Sequence, residues 1–250
     1  MIKIKYRGRL GNRLFQYAYA RIAAESLGAS LPAHPIEGFQ ATAQVIEGRN
    51  HADAPPYVPP EREAPEKLPA DRLIVVDGYY QQWETMHRWR AHLLRWLAPR
   101  RWPVAVNKDD LLVSVRLGDY LTVGQRFRRA IPSYESFYTP LFEKLRPRRV
   151  YLISDQPNHP YITTQFHDTD IVNLSPLDSL RFMAAFRRLV ICQSTFAWWG
   201  AFLSSTAEEV HLPVPQGSVW QSYCDAISPC ELPGWNLIAT KSIVDEREEW

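Results

Sequence analysis

Short apolar segments alternating with helical patterns constrain this chain more than any other feature. Beyond Pro103, strands are predicted at 111–115, 150–153, 171–174, 189–192 and 210–212, with helices between most of them. Runs that are apolar on both sides of the pleat need cover on both faces, so this alternation predicts parallel sheets sandwiched by helices. The first part of the chain repeats the theme. Residues 2–6 read as a strand, Gly8 and Gly11 bracket a turn, and 14–27 has helical periodicity. A buried strand is expected at 73–77 and is broken by Gly78; after it Trp83, Met86, Trp89, Leu93 and Trp96 fall on one helical face. Pro99, the Arg100-Arg101 pair and Pro103 predict the end of that helix.

The break near 98–108 divides the chain into two α/β halves, 1–105 and 106–250, with the active site expected in a cleft between them. Residues 34–69, rich in Pro, Glu and Ala, carry little periodicity and read as a long exposed or mobile excursion. Ser175-Pro176-Leu177-Asp178 places a capping residue before a proline at the first helical position, which starts a helix expected to hold Phe182, Met183 and Phe186.

Composition excludes several classes. Lys and Arg total 29 against 27 Asp and Glu, a formal charge of +2, which does not predict a nucleic-acid surface. Three cysteines, Cys192, Cys224 and Cys230, contain no C-x-x-C pair, so neither a zinc site nor a disulfide framework is indicated. No apolar run approaches the roughly 20 residues of a membrane helix, and the first residues lack a signal-peptide stretch, so a cytoplasmic protein is expected. Scattered histidines, His87 and His211 among them, form no metal-ligand motif, and no G-x-S-x-G elbow is present.

Candidate chemistry gathers where strands end. Ser194, Thr195 and Phe196 lie where the 189–192 strand turns into a helix, so backbone N–H groups and the positive end of the helix dipole would face an anion there. The alternative is a plain helix cap with Phe196, Trp198 and Trp199 in the core. Arg116 directly follows the 111–115 strand, and its planar fork suits a phosphate. A salt bridge to Asp119 is the competing reading. Asp155 ends another strand and would face the same crevice, or else form a turn before Pro157. Gly8-Arg9-Leu10-Gly11-Asn12 lacks the full dinucleotide glycine pattern, and Asn12 could simply cap a helix beginning near Leu14. Asp168-Thr169-Asp170 precedes its strand and reads as a solvated turn rather than a metal-binding pair.

Taken together, these segments resemble the α-1,2-fucosyltransferases of glycosyltransferase family 11. The matching stretches are Gly8-Arg9-Leu10-Gly11-Asn12 with Phe15-Gln16-Tyr17-Ala18, then Gly78-Tyr79-Tyr80-Gln81, Ser114 to Tyr120, Ile153-Ser154-Asp155 and Ser194 to Gly200, in the family's order. Ser114 stands where the family usually has His, and Leu117 where a second Arg is common.

The resemblance implies a GT-B-like pair of Rossmann-like domains, an acceptor side in 1–105 and a nucleotide-sugar side in 106–250. It further implies a GDP-fucose donor, a glycan acceptor, inversion at the anomeric carbon, no cofactor and no required metal. Arg116 would hold the β-phosphate, Ser194, Thr195 and Phe196 would line the phosphate and nucleoside site, and Asp155 would contact the nucleoside. Gly11 and Asn12 would sit where donor and acceptor meet. Charge building on the departing phosphate needs a positive partner, and Arg116 with the helix start would supply it. Asp119 is the candidate proton acceptor, or else orients Arg116. Rival readings are a transferase of the same architecture using another nucleotide sugar, and a non-catalytic glycan- or nucleotide-binding relative; peripheral membrane association stays open.

Overall fold

The computed structural model describes residues 1–97, 99, 103, 105–123, 125–217 and 234–245. The chain separates into two compact units, Met1–Arg100 and Arg101–Trp250. Each is an α/β unit built on a parallel sheet. Cys224 and Cys230 lie outside the described residues.

In the first unit, β1 (Ile2–Ile4) and β2 (Pro56–Tyr57) flank β3 (Leu73–Val76), both pairing parallel to it. Helix α1 (Leu10–Leu27) starts four residues before the expected Leu14, so Asn12 sits inside its first turn and Arg9 occupies the cap position. Every residue from Leu14 to Ala20 is buried, so α1 needs cover on all sides. The 34–69 segment supplies it, which corrects the expectation of an exposed excursion. Tyr17 donates its hydroxyl to the Ala41 carbonyl at 2.8 Å and Tyr19 to that of Glu63 at 3.0 Å, while Ile36, Phe39 and Leu68 are buried. The segment lacks periodicity because long-range bonds rather than local repeats hold it.

The single helix expected beyond Gly78 is two, α2 (Trp83–Arg88) and α3 (Arg90–Leu97), separated at Trp89. Trp83, Met86 and Leu93 go into the core, whereas Trp89 and Trp96 are only half-buried. Arg21 lies over the Trp96 ring at 4.7 Å, which accounts for that exposed aromatic edge.

The second unit carries a six-stranded sheet in the order β6-β5-β4-β7-β8-β9. Its strands are β4 (Leu111–Val115), β5 (Val150–Ser154), β6 (Asp170–Ile171), β7 (Arg188–Val190), β8 (Glu209–Pro215) and β9 (Trp235–Thr240), all parallel to their neighbours. The chain begins in the middle, steps out to one edge, then returns past β4 to build the other half. This is the doubly wound, Rossmann-like order, whose direction reverses between β4 and β7. Strand β4 is buried at every position, as its largely apolar run predicts, with Ser114 its one polar residue. The expected 171–174 strand shrinks to the two residues of β6, and β9 was not anticipated.

Helices α4 (Gln125–Arg128), α5 (Thr139–Leu145), α6 (Pro160–Gln165), α7 (Pro176–Met183) and α8 (Thr195–Phe202) complete the unit, with a π-helical turn at Tyr134–Tyr138. Ser175 caps α7 by accepting from the Asp178 amide, and Phe186 lies beyond the helix end rather than within it. One side of the sheet packs Val113, Leu152, Phe137, Tyr138 and Tyr161 into a single apolar cluster. Helix α8 is buried from Ala197 to Phe202, with Trp198 stacked on Phe202 at 4.4 Å. At Gly200 an added Cβ would lie 2.7 Å from the Met183 methyl, so the glycine permits the close approach of α7 and α8.

Candidate functional site

Strand order reverses between β4 and β7, and the carboxyl ends of the strands at such a reversal are where sheets of this kind form a ligand crevice. Three of the singled-out segments end there. Val115 pairs with Ser154 across β4 and β5, so Arg116 and Asp155 are the residues next after adjacent strand ends. On the other flank, β4 pairs with β7 through Val113 and Val190, and the chain beyond β7 leads to Ser194. The Ser114 and Cys192 side chains meet at 3.4 Å across this flank.

Arg116 and Asp119 form a bidentate pair, with Nη2 at 2.7 and 3.0 Å from the two carboxylate oxygens and Nε at 3.2 Å from one of them. The guanidinium lies over the Tyr120 ring, 5.1 Å from its centroid. Burial opposes the Arg116 charge, but Tyr120 and the hydrogen-bonded Asp119 outweigh it and hold the group above its ordinary value. The crevice therefore keeps a fixed, oriented cation at any working pH.

Asp155 is exposed, and its Oδ1 accepts the Leu117 amide at 2.9 Å. A Cβ at position 118 would collide with its other oxygen, so Gly118 is what lets the loop after β4 lie against the loop after β5. Leu117 points into the apolar core and is 0% exposed, so no second charge is presented from that position.

Ser194 is the cap of α8, in extended conformation, and its hydroxyl accepts the Phe196 amide at 3.2 Å. The cap reading is therefore correct for Ser194, and it does not exclude the other: the amino end of α8 still carries the positive end of the helix dipole. Thr195 and Phe196 are half-buried at this end, while Trp198 and Trp199 are core.

Two residues that sequence reasoning left without a role tie these pieces together. Tyr120 donates its hydroxyl to the backbone carbonyl of Gln193, joining the Arg116 loop to the residue before the α8 cap. Burial pushes the phenol up, so it stays protonated and able to donate. Gln193 is 1% exposed, and its amide donates to the Pro213 carbonyl at 2.9 Å, anchoring the turn to β8. Motif membership marked Tyr120, but its partner lies 73 residues away and no local pattern reveals it.

Gly11 and Asn12 belong to the first unit, at the carboxyl ends of its own strands. Gln81 donates to Asn12 Oδ1 at 3.1 Å, which joins the Gly8 to Asn12 segment to the Gly78 to Gln81 segment. Gly8, at φ +72°, leaves room for the Asn12 amide that any side chain there would strike. Gln16 is fully buried and brackets the loop after β1, accepting from the Arg7 amide at 3.0 Å and donating to the Arg7 carbonyl at 3.1 Å. Arg7 in turn pairs with Asp77, after β3, at 2.6 Å.

Asp168 is exposed, and Asp170 opens β6 at the amino end of the sheet, paired with Arg149 at 2.9 Å. His87 is exposed; His211 is buried in β8, 3.1 Å from Glu209. Among the described residues there is no group of three or more His, Cys, Asp or Glu able to hold a metal ion, and no helix is long and apolar enough to cross a membrane. No protein-family model matches the chain, and a search of curated proteins finds no significant relative.

Proposed function

We propose that the protein is an inverting, metal-independent glycosyltransferase of GT-B type that moves fucose from GDP-fucose to a glycan hydroxyl, forming an α-1,2 linkage. The second unit is its donor half and the first its acceptor half. The observation that carries the reading is that Arg116 follows β4 and the amino end of α8 follows the adjacent β7, with Tyr120 of the Arg116 loop bonded to Gln193 just before the α8 cap. A departing diphosphate accumulates negative charge as the glycosidic bond to the donor breaks, through an oxocarbenium-like state. A fixed guanidinium and a helix amino end are preorganised for that charge, and a donor of this kind typically contributes roughly 3 kcal/mol to the transition state.

Of the two roles open to Asp119, proton acceptor and partner of Arg116, the bidentate geometry supports the second. Both oxygens accept from the guanidinium, which fixes the fork and gives the carboxylate a structural partner. Asp155 ties Leu117 in place through Oδ1 and has its other oxygen beside Gly118, where a nucleoside hydroxyl could reach the exposed carboxylate. Asn12 and Gly11, with Gln81, would serve the acceptor.

A second reading keeps the architecture but changes the donor to another nucleotide sugar. It is favoured by Leu117, which is buried where the resembling family carries a second arginine, and by Ser114, which is turned to Cys192. Incubating the purified protein with a panel of nucleotide sugars, in the presence of EDTA, decides between the two. Release of GDP from GDP-fucose supports the first, and release from a different nucleotide sugar supports the second. No release and no transfer from any donor would leave only a binding role.

A further inference from the structure

We infer that Tyr120 is a positioning residue that holds the Arg116 loop in register with the α8 cap, and so sets how strongly the crevice prefers a nucleoside diphosphate over a monophosphate. This rests on the donor reading above. The two anion-binding elements come from segments far apart in sequence: Arg116 follows β4, and Ser194 follows β7. The Tyr120 hydroxyl to Gln193 carbonyl bond joins them directly. The same ring supports the guanidinium from below, 5.1 Å from its carbon. Asp119 fixes the fork within its own loop, three residues away in sequence, and cannot fix the distance to α8. Tyr120 touches both the guanidinium and the residue just before the α8 cap. On the far side of its bond, Gln193 is held by Pro213 of β8, so the bond reaches a rigid anchor.

The chemical consequence concerns the terminal phosphate. A nucleoside can lie along one element, but a diphosphate that meets Arg116 and the helix start together requires their spacing to be fixed in advance. Removing the hydroxyl while keeping the ring should therefore cost GDP its second phosphate contact and leave GMP untouched.

The test is calorimetric titration of GDP and of GMP into the full chain and its Tyr120→Phe variant, with Tyr161→Phe as control. Tyr161 also donates a buried hydroxyl to a backbone carbonyl, that of Pro132 at 2.8 Å, and lies in the apolar cluster on one side of the sheet. Tyr120→Phe is expected to weaken GDP about tenfold, the size of one well-placed charge-assisted contact, with GMP affinity unchanged. Tyr161→Phe should leave the GDP-to-GMP ratio as it is. An unchanged ratio in Tyr120→Phe, or an equal loss for both nucleotides, overturns the inference. Failure of the wild-type protein to bind either nucleotide overturns the donor reading with it. Should Tyr120→Phe not fold, 3-fluorotyrosine at position 120 keeps the hydroxyl and reports by fluorine resonance. A shift with GDP and none with GMP supports the inference, and the same response to both contradicts it.

Discussion

Both units collect polar groups at the carboxyl ends of their parallel strands, yet the two edges are built differently. In the first unit the residues after β1 and β3 neutralise one another: Arg7 with Asp77, Asn12 with Gln81, and Gln16 with the Arg7 backbone. The second unit keeps a guanidinium on one carboxylate beside a helix amino end, at the point where strand order reverses. Each edge holds an Arg–Asp pair near a helix start, but the Arg7 side chain is 56% exposed and shares its edge with the Asn12–Gln81 amides, which suit a hydroxyl-rich ligand. The Arg116 side chain is 22% exposed and stacked on Tyr120, a more preorganised cation for an anion. The contrast supports assigning acceptor to the first unit and donor to the second.

The most damaging change should be Arg116→Ala. Turnover is expected to fall at least about a hundredfold while thermal stability moves little, because the partly exposed pair with Asp119 contributes no more than about 1 kcal/mol to folding. Steady-state kinetics beside a melting curve checks this, and a variant with a lowered melting temperature but unchanged turnover would erase the distinction between the edges.

Gly200→Ala should act oppositely. Its new methyl has to displace Met183 between α7 and α8, so a destabilisation of about 1–3 kcal/mol is expected by denaturant unfolding, with nucleotide affinity retained in the folded fraction. Loss of affinity without loss of stability would show that α8 moves as part of the site.

Asn12→Ala sharpens the other half of the comparison. It removes one amide bond to Gln81, worth about 1 kcal/mol, and should raise the KM for acceptor without changing GDP affinity. An effect on stability alone would make the first edge purely structural.

An effect confined to alkaline pH concerns Cys192. Burial pushes its thiol from the ordinary 9.0 up to about 11, a rise only partly offset by Ser114 and Arg116. The folded state therefore favours the neutral thiol. Its contribution to stability is complete below pH 9, and it declines as the unfolded chain ionises between 9 and about 11. Urea melts across that range should show a steeper decline with the thiol present than in Cys192→Ala, because buried phenols such as Tyr120 contribute a decline common to both.

How much of this was legible in the sequence follows from burial. Strands β4 and β7 announce themselves because they lie inside the sheet, and so carry the apolar runs Leu111 to Val113 and Leu189 to Cys192. The edge strands do not: β9 is largely exposed or half-buried, and β2 is two residues within a proline-rich stretch. The interruption at Trp89 carries no glycine or proline, so periodicity alone ran α2 and α3 together. Arg116, Asp155 and Ser194 were visible because strand ends are predictable positions for ligands. The Arg116–Asp119 pair was readable too, since its partners are three residues apart. Tyr120 to Gln193 and Asn12 to Gln81 were not, because only the fold brings those partners together.

The most direct test is a crystal structure of the protein with GDP. The account predicts that the β-phosphate oxygens lie within hydrogen-bond distance of the Arg116 guanidinium and of the amino end of α8 at once. GDP bound elsewhere, or bound in the crevice with its phosphates turned away from Arg116, would contradict it.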